Sequence, residues 1–253
     1  MIQTLFLPHD LPPDASRAQV VILDVLRATS TIITALSAGA REVRLFDSLD
    51  AARAARRQPL PAPVLLAGEQ NCLKPPDFDL GNSPREHLTA RVANATILLA
   101  TTNGTRAAVA ARKAGAQTLL AGALLNATAT ARALIPLLDT RDTLLLCAGT
   151  NGQPSLEDIL GAGAIVFALL QATYRTDLAF TDAAWTAYHA FAAVRTRLPA
   201  ALRLGQGGSN VINAGLEDDI DHCARLDALP VAAKIDPETL IVHRLDARSL
   251  GAK

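Results

Sequence analysis

Cysteine is scarce in this chain: three residues, Cys72, Cys147 and Cys223, among 253. The count is odd and the spacing is too wide for paired CxxC motifs. That excludes a disulfide framework and a zinc ribbon, and it points to a reducing compartment. Neither charge is in excess, with 24 basic and 24 acidic residues. The basic face of a nucleic-acid-binding protein is therefore not expected, and neither is a role at a membrane surface. The N-terminal stretch MIQTLFLPHDLPP has no basic start and no small-residue cleavage site, so it does not read as a secretory signal. The longest apolar run, Ile159–Leu170, would rise only about 18 Å as a helix, short of a bilayer core of about 30 Å. No Pro/Gly/Ser linker is long enough to separate independent units. The expectation is a cytoplasmic globular protein forming a single α/β domain over 1–253, or two pseudo-similar halves near 1–95 and 96–253.

What the chain has is alternation. Half of it is hydrophobic, mostly Ala, Leu and Val, in short β-like runs between Ala-rich helical patterns. Strands are predicted at Gln19–Leu23, Glu42–Phe46, Val64–Ala67, Thr96–Ala100, Gln117–Ala121 and Thr143–Cys147. Helices are predicted near Ser30–Ala38, Leu49–Arg57, Pro84–Val92, Thr105–Ala114, Ala127–Leu138 and Leu156–Ala172. This order implies βαβ units, a mainly parallel sheet covered on both faces, and a binding site at the carboxyl ends of the strands. After residue 173 the pattern predicts one long helix over 177–198, a loop at GQGGSN (205–210), an acidic-headed helix over 213–230 and a last strand in TLIVHRL (239–245).

A weak internal repeat adds positional information. Residues 23–46 align with 99–122 at a fixed offset, each reading strand, polar loop, helix, glycine stop and strand. Residues 145–166 fit the same frame. Glycine-capped βα units are common, so duplication does not follow. The alignment does make Asp24, Ala100 and Ala148 equivalent strand ends, and the loops after them can converge.

Those loops hold the polar residues. VILDVLRATST ends a buried strand on Asp24, with Arg27 and a hydroxyl cluster behind it. A carboxylate there suits a metal ligand, a nucleophile or a general base; structurally it suits a helix cap. Arg27 offers a planar fork for phosphate or sulfonate, or else an ion pair to Asp24 or Glu69. Thr29 can donate to a ligand. The irregular stretch 68–84 holds Glu69, Asp77, Asp79 and Asn82, and its length favours a functional loop. It ends in NSPRE, where Ser83, Pro84 and Glu86 match a capping box, and Asn82–Ser83 open a helix start that favours an anion. In TTNGT, Thr101, Thr102, Asn103 and Thr105 supply donors and Gly104 permits close approach of an anion. No Walker lysine follows, which disfavours a nucleotide P-loop. In CAGTNGQPSLED, Ser155 and Asp158 match a second capping box. An aspartyl-phosphate enzyme of the haloacid dehalogenase type would need Asp-x-Asp, but Leu26 stands second. A cysteine hydrolase of the isochorismatase type could use Cys147, although the catalytic lysine is missing; a buried apolar role suits Cys147 better.

Taken together, DVLRATST (24–31), GE (68–69), FDLGNSP (78–84), TTNGT (101–105), CAG (147–149), SLED (155–158) and EDDIDHCARLDALP (217–230) resemble, in order, the motifs of the 2-phosphosulfolactate phosphatase family. The match spans nearly the whole chain; FDLGNSP and TTNGT carry most of its specificity. One departure is Asp77, where Gly is expected before Phe78, placing an extra negative charge near an anion site. The resemblance implies a three-layer α/β/α fold and Mg²⁺-dependent hydrolysis of 2-phospho-3-sulfolactate to 3-sulfolactate and phosphate, a step of coenzyme M biosynthesis.

On that basis Asp24, Glu69 and Asp158 are the expected metal ligands, and Asp24, Arg27 and Asp158 the expected catalytic residues. Arg27, Thr29 and the 101–105 loop would hold phosphate or sulfonate, and Asn82–Ser83 the second anionic group. The expected partner is a small phosphorylated hydroxy acid. The Ala-rich helices allow a homo-oligomer. A cysteine-dependent hydrolase and a non-catalytic protein binding an anionic metabolite are the competing classes.

Overall fold

The computed structural model describes residues 1–61, 63–87, 89–101 and 103–245. Its strands are β1 (Ile2–Leu5), β2 (Ala18–Leu23), β3 (Glu42–Phe46), β4 (Val64–Gly68), β5 (Thr96–Ala100), β6 (Thr118–Gly122), β7 (Asp142–Cys147), β8 (Ala233–Ile235) and β9 (Ile241–Arg244). The helices are α1 (Ala28–Ser37), α2 (Leu49–Arg56), α3 (Thr89–Val92), α4 (Asn103–Lys113), α5 (Ala127–Leu134), α6 (Leu156–Thr173), α7 (Asp182–Val194), α8 (Leu198–Leu202), α9 (Gln206–Asn213) and α10 (Asp218–Cys223).

All strands belong to one sheet, in the order β1-β7-β2-β6-β8-β9-β3-β5-β4. β1, β7, β2 and β6 are mutually parallel, as are β3, β5 and β4. An antiparallel hairpin, β8–β9, joins the two groups at the centre. The groups therefore run in opposite directions. Read outward from the hairpin, β8, β6, β2, β7 mirror β9, β3, β5, β4, which describes an approximate two-fold axis between β8 and β9. Under it, β2–α1–β3 corresponds to β5–α4–β6, and these units are the two aligned segments 23–46 and 99–122. Each unit starts in one group and crosses to the other, so the sequence halves near 1–95 and 96–253 interleave in a single sheet. β7 corresponds to β4 rather than β2, so residues 145–166 are not a third copy.

Strand residues alternate between faces, as the pleat requires. In β2, Val20 and Ile22 pack with α1 and α4, while Val21 and Leu23 pack with α5, α6 and α7. A smaller cluster puts Ala52 of α2 on Leu66, Leu98 and Ala100. Helices thus cover both faces, giving three α/β/α layers. Nine of the ten α1 residues are buried, which explains its lack of a polar stripe.

Several elements differ from expectation, each for a tertiary reason. α1 and α4 each begin two residues earlier than predicted, because their first turns complete the strand-end loops. The predicted Pro84–Val92 helix is split into a 3₁₀ turn, Pro84–Glu86, and α3. The predicted 177–198 helix is shortened to α7. GQGGSN, predicted as a loop, lies largely within α9. A Cβ on Gly207 would stand 1.9 Å from Glu157 Oε1, and one on Gly208 2.1 Å from the Leu202 carbonyl. These glycines admit close neighbours, and packing overrides their low helix propensity. β1 and β8, both short, were not foreseen. α6 extends beyond the apolar run Ile159–Leu170. Among the described residues it is the one helix long and apolar enough to cross a membrane by length and composition, but it is largely buried against α5 and α7.

Candidate active site

The two symmetry-related helix starts meet at Asp24. Asp24 Oδ1 accepts the Ala28 amide of α1 at 3.2 Å, and Oδ2 lies beside Gly104 of α4, where a Cβ would approach to 3.0 Å. One carboxylate therefore serves the N-termini of both helices, whose free N–H groups favour negative charge. Burial still pushes the Asp24 carboxyl up to about 6; the Glu69 charge adds to this, and the Ala28 and Gly104 amides oppose it.

Around Asp24 lies a cleft of about 450 Å³, including its solvent-filled mouth, whose wall includes Arg27, Glu69, Asn82, Thr101, Asn103 and Thr150. Asn210 of α9 also lines it. The ends of β2, β5 and β7 and the start of the 68–84 segment do converge. Glu69 is placed by Gly68, which at φ 154° lets the β4 end pass the Ala100 carbonyl where a Cβ would stand at 2.5 Å. Glu69 Oε2 then accepts the Cys72 amide at 2.7 Å.

Arg27 also lines the cleft, and each of its terminal nitrogens already makes one hydrogen bond. Nη1 donates to Asp219 Oδ2 at 2.8 Å and Nη2 to the Cys72 carbonyl at 2.7 Å. Its ion-pair partner is Asp219, not Asp24 or Glu69. Arg27 thus braces the wall, and Asp219 offsets its charge.

Other expected site residues have structural partners. Thr29 Oγ1 accepts the Asp24 amide at 3.1 Å, so Thr29 is a buried cap instead of a ligand donor. Ser83 makes no capping bond; its hydroxyl donates to Asp219 Oδ1 at 2.6 Å. Glu86 accepts the Gly81 amide instead of closing a capping box. The Asn82–Ser83 anion pocket is therefore reduced to Asn82. Its Oδ1, buried on the cleft wall, has no hydrogen-bond partner. Thr105 is buried with its hydroxyl 3.2 Å from that of Thr101. Thr102 lies outside the described residues.

Asp158 sits behind the wall, not on it. Oδ1 accepts the Val25 amide at 2.8 Å and Oδ2 the Gly149 amide at 3.0 Å, which ties the β2 and β7 loops together. Ser155 makes no capping bond to its helix, so the expected box with Asp158 is absent. Burial, with the Asp24 and Glu157 charges, raises the Asp158 carboxyl well above its ordinary range. Glu157, its neighbour in the chain, is raised to about 7, chiefly by burial. It packs on Gly205 and Gly207, with Oε2 unpartnered.

Among the described residues, no group of three or more His, Cys, Asp or Glu side chains forms a metal cage. The expected trio of Asp24, Glu69 and Asp158 is thus divided: two face the cleft and the third holds backbone. Asp77 is remote from the wall, and Arg53 binds it through two hydrogen bonds of 2.7 and 3.0 Å; its extra charge is absorbed there. Cys147 is fully buried, and burial raises its thiol well above 9. That removes it as a cysteine nucleophile. Glu157 and Asp219 lie inside the SLED and EDDIDHCARLDALP stretches, yet their roles, like those of Thr150 and Asn210, come from contacts distant in sequence.

An α/β sheet whose strand-end loops converge on a cleft with two helix starts, a carboxylate floor and neutral hydrogen-bond donors has the form of the ligand-binding sites of such sheets. The sequence model of 2-phosphosulpholactate phosphatase matches residues 5–237. The chain is 39% identical over 231 residues to a probable 2-phosphosulfolactate phosphatase of Carboxydothermus hydrogenoformans, covering 91% of each. It is also 39% identical over 231 residues to the similarly named protein of Thermus thermophilus, covering 89% of this chain and 92% of that one. A protein of that name from Thermotoga maritima is 39% identical over 207 residues, or 82% and 84% of the two chains. The chain belongs to the 2-phosphosulpholactate phosphatase family, a family of phosphoric monoester hydrolases.

Proposed function

We propose that this enzyme hydrolyses 2-phospho-3-sulfolactate to 3-sulfolactate and phosphate, in the cytoplasm and with Mg²⁺. The observation that carries this reading is the cleft at Asp24, where two helix starts and the 68–84 segment converge in a chain of this family.

The cleft's charge supports the metal. Asp24 and Glu69 line it, while Arg27 is paired with Asp219. A polyanion would be repelled by that floor. Mg²⁺ takes oxygen ligands, keeps several waters, and needs only one or two carboxylates when phosphate completes its shell. Asp24 and Glu69 would hold it, and the unpartnered Asn82 Oδ1 is a suitable neutral oxygen. When bound, the ion supplies charge neutralisation at the phosphate oxygens. The chain's own contribution is positioning. The hydroxyls of Thr101 and Thr150 and the amides of Asn103 and Asn210 offer donors without adding net charge. The amides of Ala28 and Gly104 hold the Asp24 carboxylate in one orientation.

The test is phosphate release from a panel of small phosphorylated hydroxy acids, with and without Mg²⁺, after the protein has been stripped with EDTA. Release from phosphosulfolactate that depends on added Mg²⁺ is expected. Full release in excess EDTA would remove the metal from this reading. Tight binding without turnover across the panel would make the protein a non-catalytic binder.

A further inference from the structure

The geometry points to Arg106 as the residue that reads the sulfonate of the substrate. This rests on the reading of the cleft as a phosphosulfolactate site. With Ser83 committed to Asp219 and Arg27 ion-paired to Asp219, the inner cleft has no unpaired cation for that group among the described residues. The inner cleft opens into a wider one of about 1230 Å³, including its mouth, and the two share Glu69, Cys72, Asn103, Thr150 and Asn210. Arg106 is the only lysine or arginine on the wall of this outer space among the described residues.

Arg106 stands one turn beyond Asn103 on α4, so the two side chains share a helix face about 5 Å apart along the axis. That separation is on the scale of substituents on neighbouring carbons of a three-carbon acid. Arg106 is exposed and takes part in no ion pair among the described residues. Some other surface arginines are committed to carboxylates: Arg53 to Asp50 and Asp77, Arg85 to Asp218, and Arg203 to Glu217 and Asp221. Beside Arg106 the outer wall carries Asn71, Asn151 and Asn213, neutral donors that do not compete for its charge. A sulfonate stays ionised and presents three oxygens, which a guanidinium fork and flanking amides suit. Phosphate would then lie in the inner cleft at Asp24 and Glu69, with the sulfonate in the outer one.

The test is calorimetric binding of 3-sulfolactate and of lactate, which has a methyl group in place of the sulfonate arm, both with Mg²⁺. The wild type is expected to bind 3-sulfolactate more tightly. Arg106→Gln should weaken 3-sulfolactate binding by about 10- to 100-fold and leave lactate unchanged. Arg106→Lys should recover part of the loss, and Arg112→Gln, the same charge change six residues further along α4, should have no effect. An undiminished preference for 3-sulfolactate in Arg106→Gln would overturn the assignment, as would equal losses for both ligands or no sulfolactate binding by the wild type. Phosphate release in the same preparations tests the phosphatase reading separately: a protein without turnover that still shows the Arg106-dependent preference keeps the subsite and loses the reaction.

Discussion

Arg27 and Asp219, 192 positions apart in the chain, form an ion pair of 2.8 Å with both side chains only 2% exposed. The same carboxylate accepts the Ser83 hydroxyl, so α10, the start of α1 and the 68–84 segment are locked together at the cleft wall. Removing one partner strands a buried charge. Asp219→Ala is expected to lower stability by about 3–5 kcal/mol, read as the midpoint of a denaturant titration. Ser83→Ala, which leaves the ion pair in place, should cost about 1 kcal/mol. Equal, small losses in both would mean that the pair contributes little to holding the wall.

Asp24→Asn keeps the shape but removes the charge and places an NH₂ group where one of two helix amides now finds an acceptor. Phosphate release is expected to fall by about 100-fold or more, with a circular dichroism spectrum like that of the wild type. Activity within a few-fold of the wild type would confine Asp24 to capping the two helices.

Gly207 lies where a Cβ would meet Glu157 Oε1 at 1.9 Å. Gly207→Ala must displace either Glu157 or α9, which carries Asn210 to the cleft. A loss of about 1–3 kcal/mol is expected, together with reduced turnover. Adding Glu157→Ala makes room for the methyl group, so the double variant should be more stable than the sum of the two single losses predicts. Strict additivity would show that the two residues do not touch in solution.

His87 is buried, with Nε2 3.1 Å from the Gly81 carbonyl and Nδ1 unpartnered. Burial holds its pKa below the usual 6.5. The unfolded chain therefore binds a proton that the folded one resists, and His87 erodes stability as pH falls from 6.5 toward its lower folded pKa. In His87→Gln this component is gone. The stability difference between wild type and variant should shift against the wild type between pH 7.5 and 5, measured by urea midpoints at each pH. A difference independent of pH would refute a buried neutral imidazole.

Much of the architecture was legible because its signals are local. The β-branched and leucine runs of β2, β3 and β5 are strands wherever they pack, and their alternation with Ala-rich helices specified an α/β sheet covered on both faces. The offset repeat anticipated that 23–46 and 99–122 are equivalent units. It could not reveal that they face one another across a central antiparallel hairpin, because β8 and β9 carry only short, weak strand signals. The glycines of α9 read as a loop for the same kind of reason: their value lies in what approaches them.

The sequence by itself determined most of the element types, the strand-end positions of Asp24 and Thr101, and the donor-rich character of the loops, since each depends on residues a few positions apart. Only the tertiary structure decided which polar groups face the cleft and which serve the frame. It sent Asp158, Thr29 and Ser83 to buried partners and left Asp24, Glu69 and Asn82 on the wall. Each buried donor or acceptor must find a partner on folding, and that partner is set by long-range packing, which no local pattern records.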